Sequence, residues 1–104
     1  MNFGEAIELL KQGKLVTRDG WNGKDMFLFI RPEDKLPMEV VNKAISIPKE
    51  VKKYYQHYYY ERKSKPSIKV TAYICMKAAD NSIVNGWLAS QTDILSEDWK
   101  EFKV

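Results

Sequence analysis

Two short segments of the sequence contain residue types that could bind a ligand. In the first, at residues 17–24, glycines able to take positive φ flank Trp21 and Asn22, with Arg18 and Lys24 on either side. The indole could stack on a base, while the amide, the backbone N–H groups and a nearby cation suit a nucleotide and its phosphates. A tight turn anchored by a buried tryptophan is the alternative interpretation of the same residues.

The second segment covers residues 86–93 and also contains a tryptophan, Trp87. Four polar side chains follow at the start of a short predicted helix: Ser90, Gln91, Thr92 and Asp93. A helix N-terminus favours anions, which would suit a phosphorylated ligand. Ser90 or Thr92 is equally suited to cap the helix, so a ligand-binding role and a structural role both remain open.

Residue patterns typical of catalysis are scarce. The sequence has one histidine, His57, and one cysteine, Cys75, and it contains no CxxC, HxxxH, GxGxxG or GxxxxGK[ST] motif. Metal sites, Rossmann folds and P-loops use those spacings. The acids Asp93, Glu97 and Asp98 are close in sequence, but such a run is typical of a solvated surface. The sequence therefore predicts no catalytic residue, no metal site and no cofactor.

The composition indicates one small globular domain. The chain has 104 residues, of which 44% are hydrophobic and 30% charged, and its net charge is +3. Acids and bases mostly alternate, whereas proteins that hold nucleic acid cluster their cations on one face. The single cysteine, the residues at the start of the chain and the absence of a long apolar run predict a soluble cytoplasmic protein without a membrane span.

The elements that must position the two segments follow from the hydrophobic pattern. Asn2 and Glu5 form a capping box before a helix that ends at Gly13. Strands are predicted at residues 15–18 and 26–31, and the second is apolar on both faces. Such a strand indicates cover on each side, by the domain itself or by a second subunit.

The second half of the chain predicts further strands. Residues 68–77 alternate between apolar and polar side chains, and a turn at residues 79–82 leads into a returning strand. A short helix at residues 90–95 and an edge strand at residues 98–104 complete the chain. The predicted fold class is α+β, with a single antiparallel sheet packed with helices in one domain that covers residues 1–104.

The middle of the chain has a different character. A weak helix is predicted at residues 37–44, and a stronger one begins at Pro48 and runs to about Arg62. Its apolar stripe is rich in tyrosine and suits either the core of the chain or an oligomer contact. The stripe consists of Val51, Tyr54, Tyr55, Tyr58 and Tyr59, and Lys52, Lys53 and Gln56 point away from it.

Residues 49–69 are also locally basic. Seven cations stand there against two acids, the cations being Lys49, Lys52, Lys53, Arg62, Lys63, Lys65 and Lys69. A solvated helix face followed by a connector at residues 64–67 is one interpretation. A surface for nucleic acid or a host protein is the other.

Taken together, these segments resemble a family of small phage and prophage proteins, the second type of Thoeris anti-defence protein. Between residues 36 and 67 the chain departs from the family pattern, and we interpret that part as a variable helical insertion. The resemblance rests on four features in chain order: Phe3-Gly4-Glu5-Ala6 with Leu10 and Gly13; Arg18 with Gly20-Trp21-Asn22-Gly23-Lys24; Met76-Lys77 with Ala79-Asp80 and Ile83-Val84; and Trp87-Leu88-Ala89-Ser90-Gln91-Thr92-Asp93 with Leu95 and Glu97-Asp98-Trp99.

The resemblance implies a sponge rather than an enzyme. Members of the family bind and hold the cyclic ADP-ribose isomer that Thoeris immunity uses as its signal, 1″–3′ glycocyclic ADP-ribose. Some relatives also bind cyclic oligonucleotides at a separate site. The family forms homo-oligomers, typically tetramers, with pockets where subunits meet. The implied location is the cytoplasm of the infected or lysogenic bacterial host, with no membrane or nucleic-acid partner.

The resemblance also implies roles for individual residues. Asp93 is suited either to hydroxyl or amino donors of the ligand or to capping the turn, and Arg18 and Lys24 either to the diphosphate or to a solvated surface. Trp99 is assigned to the core. The implied ligand-binding residues are Trp21 and Trp87 against the adenine, Asn22 and Gly23 as hydrogen-bonding groups, Ser90, Gln91 and Asp93 at ribose hydroxyls or base edges, and Arg18 and Lys24 at the diphosphate.

Overall fold

The computed structural model describes residues 1–22, 24–62 and 67–104, and the chain divides into two compact units. Unit 1 comprises Met1–Pro32 and Ala72–Val104, and unit 2 comprises Glu33–Thr71. Within the described ranges, no helix has the length and apolar character needed to cross a membrane. In chain order the elements are α1 (Phe3–Lys11), β1 (Val16–Arg18), a 3-10 helix (Asp19–Trp21), β2 (Phe27–Arg31), β3 (Asp34–Pro37), α2 (Met38–Lys43), α3 (Lys49–Arg62), β4 (Ser67–Val70), β5 (Tyr73–Lys77), β6 (Ile83–Asn85), α4 (Gln91–Leu95) and β7 (Trp99–Glu101).

Unit 1 is built on a five-stranded sheet with the strand order β6-β5-β2-β1-β7. Every neighbouring pair is antiparallel. The predicted α+β class is therefore confirmed, as are the β5–β6 hairpin, the short helix α4 and the edge strand β7. Unit 2 adds a separate two-stranded sheet, β3-β4.

The first helix forms as predicted and supplies one side of the core of unit 1. Asn2 Oδ1 accepts the backbone N–H of Glu5 at 2.9 Å, and Glu5 Oε1 accepts that of Asn2 at 3.0 Å. These bonds satisfy two donors at the helix start. After the helix, Gly13 takes a φ of +84°, a left-handed conformation that glycine adopts without strain. The main cluster of buried residues consists of Ala6, Leu10, Val16, Leu28 and Trp99.

The prediction of one continuous strand at residues 68–77 is wrong. The chain ends β4 at Val70 and begins β5 at Tyr73, and the two strands lie in different sheets. β5 pairs with β2 as far as Arg31, which lies opposite Tyr73. Pro32 comes next and has no N–H to donate, so the β2 ladder stops there. β4 pairs instead with β3, a strand that the sequence pattern did not predict.

In unit 2 the two predicted helices are present as α2 and α3. Lys52 Nζ donates to the carbonyl oxygen of Asn42 at 3.1 Å, and Gln56 Nε2 donates to Asn42 Oδ1 at 3.0 Å. The polar face of α3 therefore contacts α2. Among the tyrosines of the stripe, Tyr54 stacks on Tyr58 and Tyr55 on Tyr59, with centroids 6.1 and 6.3 Å apart.

None of the five stripe residues is buried in the chain, since Val51 and Tyr54 are exposed and the others half-buried. The structure thus gives no support to a core role for the stripe, and an oligomer contact stays a prediction. Strand β2 is also only partly covered, because Leu28 is buried whereas Phe27, Phe29 and Ile30 are half-buried. Cover of β2 by a second subunit likewise stays a prediction.

Three sequence predictions concern residues outside the described ranges. They are most of the connector at residues 64–67, the basic contribution of Lys63 and Lys65, and the ligand-binding role of Gly23. The proposed helical insertion at residues 36–67 falls within unit 2. Whether it is variable within the family stays a prediction.

Candidate functional site

The loop between β1 and β2 contains the first predicted ligand-binding segment. It opens with the 3-10 helix Asp19–Trp21, and Asn22 follows with a φ of 60°. The N–H of Asn22 donates to the carbonyl oxygen of Asp19 at 3.2 Å. Asparagine tolerates this left-handed conformation better than most residues. Asn22 and Asp25 take positive φ values in this loop, whereas Gly20 does not.

Arg18, at the end of β1, is held between two carboxylates. Its Nε donates to Asp98 Oδ1 at 2.8 Å, and its Nη1 donates to Asp93 Oδ1 at 2.7 Å. The side chains of Arg18 and Asp93 are each only 13% exposed. One guanidinium between two carboxylates leaves a net charge of about −1 on the cluster. An anion would therefore not be drawn to Arg18.

Both carboxylate oxygens of Asp93 accept hydrogen bonds. Its Oδ1 accepts from Arg18 and from Trp21 Nε1, the latter at 3.4 Å, and its Oδ2 accepts from Ser90 Oγ at 2.9 Å and Ser90 N at 3.3 Å. In return Ser90 Oγ accepts the N–H of Asp93 at 3.0 Å. A carboxylate offers about four acceptor positions, and all are filled. Ser90 and Asp93 thus form a capping box for α4.

The network keeps its three charged groups ionised. Burial alone would raise the pKa of Asp93, but hydrogen bonds from Arg18, Ser90 and Trp21 outweigh it and lower that pKa. The Arg18 guanidinium is the main cause of the lowered pKa of Asp98. The hydrogen bond to Asp98, in turn, raises the pKa of Arg18. At neutral pH neither carboxylate has a proton to give.

The three tryptophans of the sequence pack together behind this network. Trp21 meets Trp99 edge-on with centroids 5.3 Å apart, and Trp87 lies 6.2 Å from Trp21 and 6.3 Å from Trp99. Trp99 is 1% exposed, and its Nε1 donates to the backbone oxygen of Asp93 at 2.9 Å. The predicted core role of Trp99 is confirmed. Trp21 and Trp87 are half-buried, so part of each indole remains accessible.

A cleft of about 390 Å³ opens beside the loop. Ligand pockets usually have volumes from about 300 to 1,000 Å³, so this one is at the small end. Its lining contains two lysines, Lys24 and Lys100, and two carboxylates, Asp19 and Asp25. Lys100 Nζ lies 2.6 Å from Asp19 Oδ1. The lining residues are Thr17, Arg18, Asp19, Trp21, Asn22, Lys24, Asp25, Met26, Lys100 and Phe102.

The two predicted segments contact each other, but only the first of them lines this cleft. Trp21 contacts both Trp87 and Asp93, and Asp93 contacts Arg18, so the segments share one network. Gln91 is the exposed first residue of α4. Of the predicted ligand-binding residues, those that line the cleft are Arg18, Trp21, Asn22 and Lys24.

Asp98 and Lys100 are among the residues that contribute to the site although their sequence pattern did not assign them to it. Asp98 accepts the N–H of Gly20 at 2.8 Å as well as binding Arg18, and Lys100 lines the cleft. Both enter because β7 pairs with β1, which sets Lys100 opposite Thr17. No local sequence pattern predicts that pairing. The acid run that includes Asp98 was the only signal at these positions.

Comparison with known proteins shows what the chain is similar to. The family model "Tad2-like: Thoeris anti-defense 2-like domain" matches residues 1–102 of the chain. The chain is also 40% identical over 99 residues to Thoeris anti-defense 2 of Bacillus phage SP01. That alignment covers 95% of this chain and 91% of the phage protein. Both the loop segment and the α4 segment lie within the matched range.

Proposed function

The chain belongs to the Thoeris anti-defense 2-like family and has an anti-defence role, and we propose that it acts by holding the Thoeris immune signal. The proposed ligand is a cyclic ADP-ribose isomer, 1″–3′ glycocyclic ADP-ribose. The protein binds it without degrading it, so that the downstream effector is not activated. This action takes place in the cytoplasm of the bacterial host.

The cleft beside the Trp21 loop is the observation that supports a nucleotide ligand. Trp21 offers a partly exposed indole and Asn22 an exposed amide at the same opening. Aromatic faces and amides are the groups that bind a base by stacking and hydrogen bonding. For the diphosphate we favour Lys24 over Arg18, because two carboxylates already neutralise Arg18. Lys100 also lines the cleft, but its Nζ is paired with Asp19 Oδ1.

The α4 segment has a supporting part in this proposal. Trp87 packs against Trp21 and limits where that indole can lie. Ser90 and Asp93 hold the start of α4 and leave no acceptor of the Asp93 carboxylate for ribose hydroxyls. Gln91 is exposed and remains a candidate hydrogen-bonding group for the ligand.

Binding without turnover agrees with the chemistry of the nearby acids. Asp93 and Asp98 are both ionised by their contacts with Arg18, and their lowered pKa values remove them as proton donors at neutral pH. A general acid must hold a proton at the working pH. Within the described ranges, no group of three or more His, Cys, Asp or Glu residues is arranged to hold a metal ion.

We further propose a homo-oligomer, a tetramer, in which neighbouring subunits help to close the cleft. Exposed apolar side chains on unit 1 support this, because contacts between subunits of a homo-oligomer bury apolar side chains. β6 lies at one edge of the sheet. The side chains are Ile83 and Val84 on β6, Leu88 after it, and Ile94 and Leu95 on α4, with exposures from 46% to 89%.

Calorimetric titration with 1″–3′ glycocyclic ADP-ribose tests the ligand, and heat release followed by mass analysis tests its fate. We expect tight binding and recovery of intact nucleotide. Lys24→Ala should raise the Kd about tenfold, as expected for a lost charged hydrogen bond. Lys103→Ala removes an equal charge outside the cleft and is the matched control. Light scattering measures the subunit number.

Other outcomes would point to different functions. Recovery of a hydrolysed product would mean that the protein is an enzyme. Binding of cyclic oligonucleotides but not of the ADP-ribose isomer would replace the proposed ligand. RNA or DNA binding that weakens steeply with salt would favour a nucleic-acid surface on the basic segment. Equal affinities for Lys24→Ala and Lys103→Ala would remove Lys24 from the site.

A further inference from the structure

Asp98 forms an ion pair with Arg18 and also accepts a backbone N–H from the loop that contains Trp21. We propose that Asp98 is a positioning residue that holds the Trp21 loop, residues 19–22, in the conformation that binds the ligand. The inference rests on the proposed function, because it assigns a role to Asp98 in that same site. Asp98 does not line the cleft itself.

The loop backbone is tied to Asp98 at two successive residues. The N–H of Asp19 donates to the Asp98 backbone oxygen at 3.2 Å, and the N–H of Gly20 donates to Asp98 Oδ2 at 2.8 Å. The next loop bond, from Asn22 N–H to the Asp19 oxygen, closes the turn on this anchor. Trp21 and Asn22, which line the cleft, are therefore oriented from a residue on a distant part of the chain.

Arg18 holds the Asp98 carboxylate in place. Arg18 Nε donates to Oδ1 at 2.8 Å and Arg18 Nη2 donates to Oδ2 at 3.4 Å. Oδ2 also accepts the Gly20 N–H at the shorter distance of 2.8 Å. Charged hydrogen bonds are shorter and stronger than neutral ones, so this orientation is well defined. Asp93 binds the other side of the same guanidinium. Loop position is thus set by an ion-pair network rather than by packing alone.

Residue 20 is a glycine for a steric reason that the same contact explains. A Cβ at Gly20 would lie 2.9 Å from Asp98 Oδ2 and 3.0 Å from Arg18 Nη2. The first distance is shorter than a Cβ atom tolerates and the second is tighter than most Cβ contacts, so the carboxylate or the loop must shift. Gly20→Ala therefore disturbs the contact between Gly20 N–H and Asp98 Oδ2 by a change in the loop. Asp98→Asn disturbs the same contact by a change in the acceptor.

The variants have matched controls in the chain. Asp80→Asn removes another carboxylate with a lowered pKa that accepts a backbone N–H, from Ser82, in the β5–β6 turn. Gly4→Ala adds a methyl group to α1 that meets Asn2 Oδ1 at an ordinary 3.4 Å. Neither control touches the loop.

The experiment measures loop structure and binding separately. Amide NMR shifts of Gly20 and the indole shift of Trp21 report the loop without ligand, and titration with 1″–3′ glycocyclic ADP-ribose reports the Kd. Asp98→Asn should move both signals, Gly20→Ala should move the Trp21 indole signal, and each variant should raise the Kd about tenfold or more. The two controls should leave the signals in place and the Kd within about twofold. Urea unfolding checks that each variant is folded.

Each contrary result has a distinct meaning. If wild-type protein does not bind the nucleotide, the proposed function fails before any variant is compared. If wild type binds and folded Asp98→Asn binds equally well, the positioning role of Asp98 is overturned. Unmoved Gly20 and Trp21 signals in Asp98→Asn would overturn it as well, whatever the affinity.

Discussion

Replacing Arg18 with methionine should destabilise the protein strongly. The change leaves Asp93 without its cation in a site where both side chains are 13% exposed. Removing one partner of a buried pair costs about 3–5 kcal/mol. Ser90 and Trp21 still donate to Asp93, so we expect the lower end, a loss of about 3–4 kcal/mol in the free energy of unfolding. For a domain of this size, that loss lowers the Tm by roughly 12–30 °C.

Urea unfolding followed by tryptophan fluorescence measures this loss, and a double-mutant cycle isolates the pair. Asp93→Asn keeps an acceptor for Ser90, so Arg18→Met with Asp93→Asn should recover at least about 2 kcal/mol relative to the sum of the single losses. Lys11→Met is a suitable control, because Lys11 and its partner Glu8 are 65% and 69% exposed. A loss below about 1 kcal/mol for Arg18→Met would refute the reasoning, since exposed pairs behave in that way.

Three further changes test other contacts. The lowered pKa values of Asp93 and Asp98 mean that the unfolded chain takes up their protons first. Their stabilisation is therefore complete above a pH of about 4 and is lost as the pH falls further, so the urea midpoint should drop between pH 5 and pH 3; an equal midpoint would contradict this. Trp99→Phe removes the donor to the Asp93 oxygen and should cost about 1–3 kcal/mol by urea unfolding, whereas an unchanged midpoint would mean that water replaces the donor. Asn2→Ala breaks the capping box of α1 and should cost about 1 kcal/mol, with Tm as the measurement and no change as the contrary result.

Local patterns predicted the elements whose bonds are local. The capping boxes at Asn2 and Ser90 join residues three positions apart, and both helices begin where the sequence indicates. The β5–β6 hairpin likewise follows from a turn of a few residues. The α+β class could be read because such segments dominate unit 1.

Long-range pairing explains what the sequence could not predict. The alternation at residues 68–77 is continuous, and only the end of the neighbouring ladder at Pro32 divides it into β4 and β5. Asp98 and Lys100 joined the site through the pairing of β7 with β1, across some 80 residues of chain. In the sequence alone, Asp98 and Lys100 cannot be distinguished from solvent-exposed charged residues, because their partner strand β1 is not known.

The chain leaves β2 at Arg31 and rejoins the same ladder at Tyr73, directly opposite. Within the intervening segment Asp34 pairs with Val70, so the β3–β4 ladder already joins the two ends of that segment. The entropy lost on closing this segment of about 40 residues is therefore shared between the β3–β4 and β2–β5 pairings. Once β3 and β4 have paired, the chain that must close to pair β2 with β5 is short, which favours fast formation of this contact. A change in the length of unit 2 would therefore leave the register between β2 and β5 to be set by their own ladder.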